Sequence, residues 1–259
     1  MLDDFIERLR IERGGTLLLT ENSLTLLMTI KKIDKTLSSD VSVEEVFNII
    51  INKIIEKIGD TGTLLIQTFD WDFCNKKKFD VLNSKSKTSF LGNIAITRED
   101  FIRTKHPMYS FAVTGRYKNE LANLNNHGSF DIDSPFNFIY KKKAKMLIID
   151  IPLRDSFTFA HHVEQMTNVK YRYNKDFTST YIDHKGIKSI RTYGMFVRDI
   201  DNNVSMYLEP LENIFLEKGV MEQFNIDELV IRKVDLFKAY DVIENDIKYN
   251  NAKSLHKIG

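Results

Sequence analysis

Short apolar runs alternate along the chain with longer stretches in which apolar residues recur every three or four positions. Gly14 and Gly15 lead into Thr16-Leu17-Leu18-Leu19-Thr20, short enough for a buried strand. Residues 42–58 then place Val43, Val46, Phe47, Ile50, Ile51, Ile54, Ile55 and Ile58 along one helical face. Ser42 is the predicted N-cap, with Glu45 three residues on as its capping-box partner. Gly59 and Gly62 stop this helix, and residues 63–68 (TLLIQT) form the next strand. Strand, crossover helix and strand favour a parallel, right-handed unit.

A second unit follows. Residues 144–151 (AKMLIIDI) read as a strongly apolar strand and 156–166 as a helix capped by Ser156. Residues 169–174 and 188–198 alternate like half-buried strands, and helices are predicted near 207–218 and 234–246. No repeat, Pro-rich linker or low-complexity tract interrupts the sequence. The pattern therefore predicts one α/β domain over residues 1–259, built on a large mixed or mostly parallel sheet with helices on both faces. In such sheets the site lies beyond the carboxyl ends of the strands.

Composition narrows the function classes. Lys+Arg at 37 against Asp+Glu at 36 gives a net charge of +1, which is not the footprint of a nucleic-acid binder. Cys74 is the only cysteine, so neither an internal disulfide nor a multi-cysteine metal site can form. The opening MLDDFIERLR has charges at helical spacing and no apolar core of a secretory signal, and no run is long enough to cross a bilayer. The expectation is a cytoplasmic protein with no membrane and no nucleic-acid partner. A homo-oligomer stays open.

Three segments could carry chemistry. In Thr158-Phe159-Ala160-His161-His162-Val163-Glu164, His161 and Glu164 are three apart and share a helical face. An imidazole is the usual base near neutral pH, and a carboxylate beside it fixes its tautomer. The bland alternative is one histidine in the core and the other in water. His162 points about 100° away and does not serve the same site. In Arg103–Gly115, His106 and Ser110 precede a strand, but the G-x-S-x-G elbow of a serine nucleophile is missing. After the strand at 63–68, Asp70 and Asp72 sit among aromatics and could hold a cationic or hydroxyl-rich acceptor, or simply form a turn. No metal-binding, P-loop or dinucleotide motif occurs.

Read together, GTLLLT (15–20), GDTGTLLIQTFDW (59–71), RTKHPMYSFAVTG (103–115), SPFNFIY (134–140), AKMLIIDI (144–151) and TFAHHVE (158–164) resemble the aminoglycoside N-acetyltransferase family, the antibiotic acetyltransferases unrelated to the GNAT fold. The resemblance spans most of the chain in consistent order. It implies acetyl-CoA or another acyl-CoA as co-substrate, no metal, and direct transfer to the amine of a small-molecule acceptor. It places His161 at the family's catalytic histidine, with Glu164 beside it and Asp199 as a further acidic residue from a later strand. The matched segments assign Thr20, Asn22, Ser23, Thr68, His106, Ser110 and Phe111 to the donor, and Asp70, Asp72, Arg103, Tyr171 and Arg172 to the acceptor. After the first strand the family usually shows His-Ser-Ser, whereas this chain reads Thr20-Glu21-Asn22-Ser23.

Residues 68–80, 161–165 and 169–177 look closer to relatives associated with bacterial surface-polysaccharide (O-antigen) synthesis, whose acceptor is an amino-deoxy sugar on a nucleotide. Charge points the same way. The run Lys76, Lys77, Lys78, Lys85 and Lys87, and the run Lys141, Lys142, Lys143 and Lys145, repel a polycation and suit pyrophosphate, unless both are merely solvated faces. The reading is thus an acyl-CoA-dependent N-acyltransferase acting on an amino sugar, nucleotide-linked by preference. An aminoglycoside acceptor and a non-catalytic binding relative are the alternatives.

Overall fold

A computed structural model describes residues 1–37, 40–201 and 204–257. The first half runs α1 (Leu2–Arg8), β1 (Thr16–Glu21), α2 (Ser23–Ile33), α3 (Val43–Ile58), β2 (Thr63–Gln67), β3 (Phe79–Asp80), α4 (Phe90–Ala95), β4 (Ile102–Arg103), β5 (Phe111–Gly115) and α5 (Lys118–Asn123). It continues through α6 (Pro135–Lys141), β6 (Lys145–Ile149), α7 (Leu153–Ser156), α8 (Phe159–Met166), β7 (Arg172–Ile182) and β8 (Lys188–Arg198). The last elements are β9 (Ser205–Met206), α9 (Glu209–Glu217), β10 (Met221–Ile226), β11 (Leu229–Asp235), α10 (Leu236–Asn250) and β12 (His256–Lys257).

Seven strands form one mixed sheet in the order β10-β11-β6-β1-β2-β5-β4. Its centre, β6-β1-β2, is parallel, and antiparallel strands extend it on both sides. The alternation of side chains across the pleat divides the core in two. Leu18, Leu65, Val113, Met146 and Ile148 face a cluster built with residues of α6, α8, α9 and α10. Leu17, Leu19, Leu64, Ile66, Leu147 and Ile149 face a second cluster built with α1, α2, α3 and α4. Helices on both faces explain why β1, β2 and β6 read as unbroken apolar runs rather than alternating ones.

The predicted βαβ unit is present. Ser42 accepts a hydrogen bond from the Glu45 N–H at 3.2 Å, and Gly59 ends α3 with φ of 74°. The pattern did not announce α2, which enters the crossover after β1 and is capped by Asn22.

Three boundaries differ from expectation. The predicted helix at 156–166 is two pieces, α7 and α8, because Ser156 turns its hydroxyl back onto the Pro152 and Leu153 carbonyls instead of capping. The strand expected at 169–174 begins at Arg172 and runs to Ile182, pairing antiparallel with β8 and parallel with β3 in a separate three-stranded sheet. The β10–β11 hairpin at the sheet edge was not anticipated.

Candidate active site

The chain leaves the carboxyl end of β6, the strand beside the central β1, and turns through α7 into α8. That path sets His161 and Glu164 at the end of the sheet where α/β sites form. Glu164 is completely buried, whereas the His161 side chain keeps 13% of its surface. His161 thus borders an open groove of about 400 Å³, whose lining includes Tyr109, Arg172, Tyr173, Lys175, Met195 and Arg198.

His161 Nδ1 lies 2.8 Å from Glu164 Oε2. A carboxylate accepts, so Nδ1 carries the proton and Nε2 keeps its lone pair. Nε2 has no hydrogen-bond partner among the described residues. Burial lowers the His161 pKa to about 4, and the Arg172 charge adds to this against the pull of Glu164. The imidazole is therefore neutral at physiological pH and able to take a proton.

Glu164 is surrounded by donors. Arg172 Nε pairs with Oε2 at 2.8 Å, the Tyr171 hydroxyl donates to Oε1 at 3.1 Å, and His256 Nε2 contacts the same oxygen. Burial alone would raise the pKa of this carboxyl, but hydrogen bonds from His161 and His256 and the Arg172 charge hold it below the ordinary carboxylate range. The carboxylate stays ionised and its four partners fix its orientation.

Local structure explains the convergence. After α8 a short turn ends at Tyr171 and Arg172 opens β7, where the Phe196 carbonyl in β8 accepts from Arg172. The β9–β12 pairing brings in His256. His162, on the other side of α8, is core: its Nδ1 bonds the Phe130 carbonyl at 2.9 Å amid Phe159 and Tyr240, and burial lowers its pKa to about 4.

Of the residues singled out from sequence, the structure brings together His161, Glu164, Tyr171 and Arg172. Tyr171 and Arg172 touch Glu164, so they orient the carboxylate, and only Arg172 also lines the groove. The carboxylate that meets His161 Nδ1 is that of Glu164, and Asp199 sits at the end of β8. Its backbone N–H bonds the Tyr171 carbonyl, and its carboxylate accepts from the Asp201 N–H.

Thr68, Arg103 and Ser110 form a buried network of their own. Ser110 donates to the Thr68 carbonyl at 2.9 Å and receives Arg103 Nε at 2.9 Å, which leaves no free hydroxyl for a thioester. Phe111 is core, and His106 is buried between the Tyr109 N–H and the Gly194 carbonyl, its pKa pushed down by burial to about 3. Asp70 is buried and accepts from the Asp72 N–H, while Asp72 pairs with Lys77 and Lys87. Those two lysines of the first basic run are thereby neutralised.

Thr20 is buried at the end of β1 and Asn22 caps α2. Ser23 donates to the neighbouring Glu21 at 2.7 Å. Glu21, in the stretch that replaces the family's His-Ser-Ser run, is buried against Ser23 and Ser89. Burial raises its pKa to about 7 despite those hydrogen bonds. None of these donor-assigned residues lines the His161 groove. The second basic run lies elsewhere: Lys142, Lys143 and Lys145 edge a pocket with Gly14, Gly15 and Thr16, at the amino-terminal ends of β1 and β6.

Sequence reasoning missed His256, Tyr109, Lys175 and Arg198. Alternation along 172–198 marks which residues face one way, but nothing in the spacing says that this face closes over His161.

The sequence matches the profile of the family described as aminoglycoside 3-N-acetyltransferase over residues 35–248. The chain belongs to this family. Curated protein sequences give no match. Three solved structures are similar in fold. Aminoglycoside acetyltransferase AAC(3)-Xa is 18% identical with a TM-score of 0.71, covering 95% of this chain and 91% of its own. AAC-IIIb in a binary complex with CoASH is 16% identical with a TM-score of 0.74, over 96% and 95%. AAC-VIa bound to sisomicin is 14% identical with a TM-score of 0.72, over 96% of each chain.

Family membership makes the protein an acyl-CoA-dependent N-acyltransferase. Among the described residues no cluster of His, Cys, Asp or Glu could hold a metal ion, and no helix is long and apolar enough to cross a membrane.

Proposed function

We propose that the whole chain works as one N-acetyltransferase domain in which His161 is the general base, moving the acetyl group of acetyl-CoA directly onto the amine of an amino sugar. The observation that carries this reading is the His161–Glu164 pair at the lip of the groove, with Nε2 unpaired and the imidazole neutral. Nε2 accepts a proton from the acceptor nitrogen as it attacks the thioester carbonyl. The carbon–sulfur bond then breaks, and CoA leaves as a thiolate that takes up a proton. Glu164 stabilises the imidazolium formed on the way.

The family match supports an aminoglycoside as acceptor. A second reading is favoured by the groove itself. It carries Arg172, Lys175 and Arg198, and no carboxylate among the described residues. Such a lining repels a polycation and attracts phosphate, on the donor or on a nucleotide-linked amino sugar.

Acceptor-dependent release of the CoA thiol separates the two readings. With acetyl-CoA saturating, the protein is offered sisomicin, and in parallel a nucleotide-linked amino-deoxy sugar. Turnover on either supports the acyltransferase reading and identifies the acceptor class. Turnover on neither, with acetyl-CoA bound, counts against an amino-sugar acceptor.

A further inference from the structure

Glu164 has a second histidine on its far oxygen, and the assigned chemistry does not use it. His256 comes from β12, is buried, and lies 92 residues away in sequence. Its Nε2 meets Glu164 Oε1, and its Nδ1 faces the Ser205 carbonyl of β9 at 3.3 Å. A carbonyl oxygen can only accept, and an ionised carboxylate can only accept. Glu164 is ionised because it faces the Arg172 guanidinium as well as His161 and the Tyr171 hydroxyl. Both nitrogens of His256 therefore meet acceptors, and only the doubly protonated, cationic ring satisfies both.

We propose that His256 is a positioning residue of the active site. Held as an imidazolium, it fixes Glu164 and balances its charge, so that His161 stays neutral with its Nε2 lone pair available. The inference rests on His161 being the base.

The surroundings of His256 are consistent with a cation. From α8 it faces Glu164. From the start of β7 it faces the Tyr171 ring at 4.7 Å and, across the carboxylate, Arg172. From β9 it faces the Ser205 carbonyl. Asp246 on α10 adds negative charge near Tyr171, while the adjacent Lys257 turns away over the Tyr207 ring. With Arg172 and His256 both charged, one carboxylate serves two cations, and a third positive charge on His161 is disfavoured. Remove the charge at 256 and Glu164 is free to draw a proton onto His161.

The test is a nitrogen-15 NMR titration of the histidine-labelled full-length protein, with kcat measured over the same pH range. In the wild type, His256 is expected to show two protonated nitrogens at pH 7, and His161 one. In His256→Gln, which keeps a donor to Glu164 but no charge, the pH at which His161 titrates should rise by about one unit or more. The acid limb of kcat should follow it, so that activity falls more at pH 5 than at pH 8. A merely structural role would lower activity equally at every pH.

A singly protonated His256 at pH 7 in the wild type overturns the proposal without any variant. So does a folded His256→Gln protein in which His161 titrates unchanged. Failure of the base reading looks different: His161→Ala would keep its turnover, while in His256→Gln the ring at His161 would still titrate at a higher pH than in the wild type.

Discussion

Replacing His161 by alanine is expected to lower kcat by about 10²–10⁴ while acetyl-CoA still binds. The ring is held by the Glu164 carboxylate and by edge contact with the Phe130 ring, and it borders the groove, so its removal leaves space open to the groove rather than a closed core cavity. Glu164 keeps Arg172, Tyr171 and His256, which leaves the buried charge compensated and the fold intact. What disappears is the α8 imidazole that borders the groove and whose Nε2 has no hydrogen-bond partner among the described residues. Acetyl-CoA at 100 times its dissociation constant should still stabilise the variant by about 2.7 kcal/mol. Turnover equal to wild type would remove His161 from the chemistry.

Glu164→Gln is expected to damage both stability and rate. The substitution leaves the Arg172 guanidinium and His256 buried without their counter-charge, and breaking one side of a buried pair costs about 3–5 kcal/mol. The amide group also places N–H donors against His161, Arg172, Tyr171 or His256, all of which are donors themselves. One amide oxygen cannot serve both faces: where the NH2 is turned to His161, Nδ1 loses its acceptor and the proton is free to move to Nε2, so the base is lost in that fraction of the protein that does fold. Urea unfolding and kcat measured on the same preparation check the two effects. The pH dependence of stability supplies a further sign. Glu164 titrates below the ordinary carboxylate range in the folded state, so its contribution is present above the unfolded value and is lost as the pH falls towards the folded one. The stability gap between wild type and Glu164→Gln should therefore narrow on acidification. A folded variant of wild-type stability would show that this carboxylate does not hold the cluster together.

The two halves of the molecule were unequally legible. Helix α3 was readable because Ser42, eight apolar positions and Gly59 all speak to the same local structure, and six of the eight are buried, with Val43 exposed at the first turn and Ile55 half-buried. The βαβ unit followed from it. Helix α8 was readable in type but not in its start, since Ser156 had two uses for its hydroxyl and took the one that closes α7. The pairing of β7 with β8 is a contact between half-buried strands, and alternation alone does not say which sheet they join.

The site divides along the same line. His161 and Glu164 are three residues apart, so helix geometry alone predicts their contact. Glu164 and Asp199 were both candidates to orient His161, Asp199 from resemblance at a place where the spacing had changed, and it is Glu164 that meets Nδ1. Ser110, Thr68 and Arg103 looked like donor contacts because polar groups before a strand suggest a site. In the fold they satisfy one another in the interior. His256 had no local signal at all, because its partner is 92 residues distant.

The most direct test of the account is a crystal structure of the protein with CoA and an amino-sugar acceptor bound together. The account predicts the CoA sulfur and the acceptor nitrogen in the groove lined by Tyr109, Lys175 and Arg198, the nitrogen within hydrogen-bond distance of His161 Nε2. A CoA sulfur seated away from that nitrogen, for instance in the lysine-edged pocket at the opposite end of β1 and β6, would contradict it.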